Sequence, residues 1–449
     1  MDNKLKIPRL KSGDGIAFFL LALLGMICIL NLNAMTSKYL GLEQFFSPLV
    51  LLLCVVGILA SGKNPFEKLG FYGWWWVVGY LVYMSIGAVS GYKNGNFYAV
   101  PSELFNFSAA VGVAVATVLL SQRMIRGGQV DRMFRFVYWL GLASVGTFYV
   151  SYFFGFNAAT AEASFRSGRI SGFFGNPNEL GLQTQITTVF GFCLAARTLS
   201  IKYLVITLLV CGPAVLGTNS RSSLLAVASI VGILSFFVFP PKYVFRTTIS
   251  LALVGILGFF SVNYLKSLSY GGGTHYQKNR TNQLFDFLSG RVSAETTGHR
   301  YDLALEAIEL FQDKPIVGWG LGFSNQLPHH GLAPHNAILK LLVDSGVLGT
   351  ATLALFWVVF FVNMLKAQPR WLKVGLLGMF LAVSFSLMSG HTGISRRYSV
   401  FQLAIVIATL EPFSQRIIAN GNQSKARFIT WIKPGQARQQ MPPGRFLHQ

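Results

Sequence analysis

Residues 335–364 read HNAILKLLVDSGVLGTATLALFWVVFFVNM, a stretch whose only Lys, Arg, Asp or Glu residues are Lys340 and Asp344. As a helix it is long enough to cross the roughly 30 Å of hydrocarbon in a bilayer. Lys340 and Asp344, four positions apart, can pair on one helix face, which reads as a structural pair. Working outward, comparable runs fall near 16–33, 46–61, 71–90, 99–120, 134–156, 180–197, 201–217, 221–239, 244–266, 372–390 and 398–413, making twelve expected spans. Composition agrees: 52% of the 449 residues are hydrophobic, 12% are charged and the mean hydropathy is +0.50. A soluble domain carries about 25% charged residues, so a water-soluble globular chain is excluded. The expected fold class is an all-α polytopic membrane protein of about twelve transmembrane helices with one large loop on the outside face.

The first run follows Lys4, Lys6, Arg9 and Lys11 and imitates a secretory signal. The region around Asn31-Leu32-Asn33 has no convincing small-x-small cleavage site, so the run reads as a retained span. The net charge of +21 lies mostly in short segments between apolar runs, where it describes topology and not a nucleic-acid partner. With both termini in the cytoplasm, the inside segments hold 23 Lys and Arg and the five short outside segments hold 7. The expected organisation is one membrane domain, 1–413, including an outside loop at 267–334, followed by a basic and disordered cytoplasmic tail at 414–449. Cys28, Cys54, Cys193 and Cys211 all lie in apolar runs and read as small hydrophobes, with neither a disulfide framework nor a zinc site.

The 68-residue loop is the place for function, because long loops tend to carry it. It opens on a hinge, Gly271-Gly272-Gly273, and contains Tyr301 to Asp313, where Asp302, Glu306, Glu309 and Asp313 form an acidic stripe at helical spacing. The stripe is either a solvated face or a docking surface for a basic partner. Six of the seven histidines, His275, His299, His329, His330, His335 and His391, fall on the outside face. A metal site on His329, His330 and His335 is conceivable, but no supporting cysteine or His-x-x-x-His pattern accompanies it. After Pro334, a good helix starter, His335 is expected in the first turn of the tenth span. The positive helix end would keep its ring neutral, the state a general base requires; a cap or interface role is the plainer alternative.

Arginines at the outer membrane edge are costly unless they snorkel or meet an anion. Arg221 opens the eighth span within Gly217-Thr218-Asn219-Ser220-Arg221-Ser222-Ser223, Arg300 follows His299, and Arg166 and Arg169 precede Ser171-Gly172-Phe173-Phe174-Gly175-Asn176-Pro177-Asn178. Snorkelling explains each singly; together with His335 they look like a phosphate clamp, since guanidinium forks match phosphate oxygens. There is no Asp-x-Asp pair, phosphate-binding Gly-x-x-x-x-Gly-Lys loop or Gly-x-Ser-x-Gly elbow, which disfavours a nucleotide-sugar enzyme with metal-bound diphosphate. A coupled transporter would show more unpaired carboxylates than Glu103, Asp344 and Glu411, and inverted repeats.

His335-Asn336, nine further residues and then Gly346-Val347-Leu348-Gly349-Thr350 resembles the signature of bacterial O-antigen ligases. The likeness extends through Ser220-Arg221, Gly298-His299-Arg300 and Lys314-Pro315-Ile316-Val317-Gly318-Trp319-Gly320, over roughly residues 170–400. O-antigen polymerases share this region, but the spacing of Arg169 from Gly181 misses a pattern of some polymerases by one residue. The resemblance implies a twelve-span bacterial inner-membrane glycosyltransferase needing no metal or cofactor. It would move a glycan from an undecaprenyl-pyrophosphate-linked donor to a lipid A-core acceptor at the periplasmic face, with inversion. His335 would deprotonate the acceptor, Arg221 and Arg300 would hold the departing pyrophosphate, and Arg169 is a weaker candidate for the same work. A polymerase of the same superfamily is the nearer rival, and a lipid-linked glycan flippase or transporter the rival of another class.

Overall fold

A computed structural model describes residues 12–40, 45–62, 64–154, 170–218, 220–239, 300–367, 369–390 and 396–410, together with 245, 248, 249 and 252. Its helices are α1 (Ser12–Ile29), α2 (Leu32–Leu40), α3 (Phe46–Ala60), α4 (Gly70–Lys93), α5 (Ala99–Arg126), α6 (Val130–Phe154), α7 (Pro177–Thr198), α8 (Lys202–Gly217), α9 (Arg221–Val238), α10 (Arg300–Asp313), α11 (Ala337–Lys366), α12 (Arg370–Ser389) and α13 (Arg397–Leu410). No strand occurs among the described residues. The all-helical expectation holds.

Five helices, α5, α6, α9, α11 and α12, are long and apolar enough to cross a membrane by length and composition, and α3, α8, α13 and most of α1 are shorter apolar helices. Each expected span within the described residues has a helix at its position. Most of the expected ninth span, 244–266, and all of the Gly271-Gly272-Gly273 hinge, His275, His299, His391, Glu411 and the tail at 414–449 lie outside the described residues, so the count of twelve is not reached here. All four cysteines are free and buried.

The centre of the bundle is α7, packed against α6, α8, α9 and α12. It is among the least apolar of the long helices, and yet Gln183, Thr184, Gln185, Thr187 and Thr188 are buried. Part of the polarity is absorbed locally, because Thr184 Oγ1 donates to the Leu180 carbonyl and Thr188 Oγ1 to that of Thr184, each at 2.8 Å. Gln183 Nε2 reaches Thr187 Oγ1 at 3.2 Å.

The second organising feature is a break in α11. Gly346 has φ 61° and ψ −166°, a conformation open essentially to glycine alone, and a Cβ there would collide with the Ile316 carbonyl. Backbone freed at membrane depth must find partners in the protein. The segment 314–321 supplies them: Trp319 and Gly320 donate to the Val343 and Asp344 carbonyls at 2.8 and 3.0 Å, while Val347 and Leu348 donate to the Pro315 and Ile316 carbonyls at 2.8 and 3.1 Å. The same segment is sewn to α4, with Leu321 N–H donating to the Gly87 carbonyl at 2.7 Å and Ser90 Oγ to that of Gly318 at 2.6 Å. This explains physically why Lys314-Pro315-Ile316-Val317-Gly318-Trp319-Gly320 and Gly346 occur together in one chain.

The pairing of Lys340 with Asp344 is present at 3.6 Å and buried. Asp344 also accepts from Tyr83 Oη at 3.2 Å and from the Ser324 N–H at 3.0 Å. Lys340 Nζ donates to Asn325 Oδ1 at 2.5 Å, and Asn325 Nδ2 donates to Glu103 Oε1 at 2.9 Å. One buried network thus ties α4, α5 and the loop before α11 to α11 itself.

Candidate functional site

The site forms where α7, α9, α11 and α13 begin and α12 ends. At α11 the first helical residue is Ala337 and the N-cap is Asn336, whose Oδ1 accepts from the N–H groups of Ile338 and Leu339 at 2.9 and 3.2 Å. His335 therefore precedes the cap and does not stand in the first turn as the sequence suggested. An asparagine satisfies two helix-end donors, which Pro334 cannot, so Asn336 takes the cap. Half-buried His335 still has its pKa held below the ordinary 6.5, first by burial and then by the positive charge of Arg300. The neutrality expected from the helix dipole is thus owed to desolvation and a neighbouring cation.

Helix α10 supplies that cation from its first residue and does a second job from its middle. Leu303 and Ala307 pack with Leu327 and Val343, docking α10 against the loop that leads to His335. On the same side, Glu306 is buried and not part of a solvated face. Its Oε1 accepts from the His329 N–H at 2.7 Å, and its Oε2 lies 2.6 Å from His330 Nδ1. Of the acidic stripe, Glu309 and Asp313 are exposed as expected, whereas Glu306 clamps the turn just ahead of His335.

Arg221 is the first residue of α9, capped by Ser220 Oγ, which accepts from the Ser223 N–H at 3.4 Å. At α7, Asn176 Oδ1 accepts from Asn178 and Glu179 N–H at 3.0 and 3.1 Å, Pro177 opens the helix, and Glu179 reaches back to the Gly175 N–H at 3.3 Å. Glu179 also meets Arg396 from the start of α13 at 2.5 Å. Glu179 is buried while Arg396 remains half-exposed.

These helix ends enclose a cavity of about 260 Å³ whose lining includes His335, Glu179, Gln185, Ser222, Ser223 and Tyr398. The structure brings His335 together with Arg300 by charge, and brings the residues next to Arg221 into the cavity of His335. Arg169 and Arg166 lie outside the described residues. A second cavity, about 370 Å³ and mainly apolar, runs between α4, α11, α12 and α13, from Ile338 to Trp357 along α11. The two share the end of α12 and the start of α13. Among the described residues, no group of three or more His, Cys, Asp or Glu side chains is placed to hold a metal ion.

Residues 206–354 match the family model described as O-Antigen ligase. The match supports an O-antigen ligase family assignment. It spans Arg221, Arg300, His335 and the Gly346 break, but neither α7 nor α13. No curated protein matches the chain. The O-antigen ligase assignment and the apolar helices together point to a membrane protein of the ligase and polymerase superfamily, whose members are glycosyltransferase-like.

The sequence pointed to His335, Arg221 and Arg300 but not to Glu179, Arg396, Gln185 or the clamp by Glu306. Asn-Pro-x-Glu at 176–179 is a helix-start signal, yet nothing in it names Arg396 as the carboxylate's partner. Glu306 is separated from its exposed neighbours on the stripe only by which face of α10 meets the loop.

Proposed function

We propose that the chain is an inner-membrane glycosyltransferase that moves a glycan from undecaprenyl pyrophosphate to a lipid A-core sugar hydroxyl at the periplasmic face, with both termini in the cytoplasm. The observation that carries this reading is His335 in a polar cavity, held neutral by burial and by Arg300. A neutral imidazole can take the proton from an attacking hydroxyl as the oxygen bonds to the anomeric carbon. The bond from that carbon to the pyrophosphate oxygen breaks on the opposite face, so the product is inverted. Negative charge then gathers on the departing pyrophosphate, and guanidinium groups fixed in a poorly hydrated site stabilise it without a metal. Arg221 and Arg300 take this role, with Arg169 as a third contributor. The apolar cavity beside the polar one suits a polyprenyl tail, since it continues from the His335 end of α11 along the helix.

The experiment supplies purified protein with the lipid-linked donor and, separately, a lipid A-core acceptor or a second lipid-linked repeat unit. Transfer to the core by wild type and none by His335→Ala is expected. Transfer only to the repeat unit would make the chain a polymerase. Lipid movement without glycosidic bond formation, undiminished in His335→Ala, would make it a transporter and refute the assignment.

A further inference from the structure

The buried polarity of α7 has a use that the O-antigen ligase match does not cover. Gln185 is 4% exposed, lines the His335 cavity, and its Oε1 has no hydrogen-bond partner among the described residues. A buried amide oxygen left so costs stability. Glu179, 5% exposed and in the lining, sets its Oε1 against Arg396 at 2.5 Å, and a carboxylate has further lone pairs to offer. The remaining polar lining consists of neutral amides and hydroxyls, chiefly Asn176, Asn178, Ser222 and Ser386, with Tyr398 as an aromatic wall. Such a set suits a ligand that both donates and accepts at several points and carries no charge. The Glu179 carboxylate is already balanced by Arg396, so the lining offers an ion no uncompensated charge, and an apolar group would strand the amides. At about 260 Å³ the space falls just below the roughly 300 Å³ at which pockets for drug-sized ligands begin, which suits one sugar ring.

We propose that Gln185 and Glu179 form a subsite that binds the hydroxyls of one sugar ring beside His335, with Gln185 deciding which ring is accepted. This inference rests on the transferase reading and gives it a specificity-determining residue. On binding, the Gln185 amide turns its oxygen to the cavity and accepts from a ring hydroxyl, and the Glu179 carboxylate accepts from a second. A site built to hydrogen-bond a hydroxyl discriminates strongly against rings that lack it, because its own buried groups are then left unpaired.

The test places the full chain in lipid nanodiscs, avoiding sugar-headed detergents, and measures binding of methyl glucoside, methyl galactoside and methyl N-acetylglucosaminide by saturation-transfer NMR. At least one glycoside is expected to bind wild type. Gln185→Met, which conserves volume, should bind it about fivefold more weakly, the effect of one lost hydrogen bond. An unchanged unfolding temperature would show that Gln185→Met remains folded, and Gln185→Ala, which likewise removes the acceptor, serves if it does not. Competition by the bound glycoside against the acceptor or against the donor in the transfer assay says which sugar occupies the subsite. No glycoside binding to wild type, or undiminished binding in the Gln185 variants, overturns the proposal. Glycoside binding without transfer by wild type would sink the transferase reading alone, whereas transfer with equal kinetics in Gln185→Met would sink the subsite alone.

Discussion

Replacing Glu306 by Ala should loosen the approach to His335 without unfolding the bundle. The carboxylate holds the 328–331 turn by two contacts, 2.7 Å to the His329 N–H and 2.6 Å to His330 Nδ1. Hydrogen bonds to a charged group contribute roughly 1.5–3 kcal/mol each. His329 and His330 are exposed and can turn to water, so each figure drops to about 1–1.5 kcal/mol and the pair to ~2–3 kcal/mol. That corresponds to a roughly 30- to 150-fold rise in the open population of the turn. Hydrogen–deuterium exchange reads it directly, since the Leu327 and Gly331 amides donate within this turn, to the Leu332 and Leu327 carbonyls at 3.2 and 2.7 Å. Faster exchange over 327–335 is expected, with α11 beyond Gly346 unaffected and transfer slowed because His335 is less well placed. Glu306→Gln should lie between, as its amide oxygen keeps the His329 contact. Unchanged exchange of the turn in Glu306→Ala would refute the clamp.

His335 has its pKa held below the ordinary 6.5 by burial and by Arg300; the acid limb of the pH–rate profile of transfer should have its midpoint below pH 6.5. Arg300→Ala removes one cause of that depression, so the acid limb should move to higher pH, and a limb that stays in place would separate Arg300 from the base. The same depression works against folding in acid: the unfolded chain binds a proton near pH 6.5 and the folded one only lower, so stability declines as pH falls between the two values. Gly346→Ala should cost at least ~3 kcal/mol, from backbone strain of roughly 1–3 kcal/mol plus collision with Ile316, read as a lowered unfolding temperature of the purified protein. A chelator should leave transfer unchanged; activity lost and restored by a divalent ion would return a metal to the mechanism.

Much of this was legible because it is local. The apolar run at 335–364 announces a helix, and Lys340 and Asp344 stand at pairing distance along it. Where the reading slipped, a competing local choice or a distant partner decided. Pro334 alone reads as the start of α11, and only the hydrogen bonds of Asn336 settle that His335 precedes the helix. Gln185 and the threonines of α7 look like residues of an ordinary span until the four helices around them are present. Arg396 counted only as a charge outside the membrane, although Glu179 gives it a defined place at the cavity.

Composition and periodicity by themselves determined that the chain is an all-helical membrane protein, where its apolar segments lie, and which histidine and arginines deserved suspicion, because hydrophobic run length and helix-end chemistry depend on neighbours along the chain. Only the tertiary structure decided that α10 turns Glu306 inward and brings the charge of Arg300 to bear on His335, that segment 314–321 fills the break at Gly346, and that α7 carries buried amides to the cavity wall. Those facts depend on which faces meet across hundreds of residues, and the free energy that selects them comes from packing and desolvation, which no local pattern records.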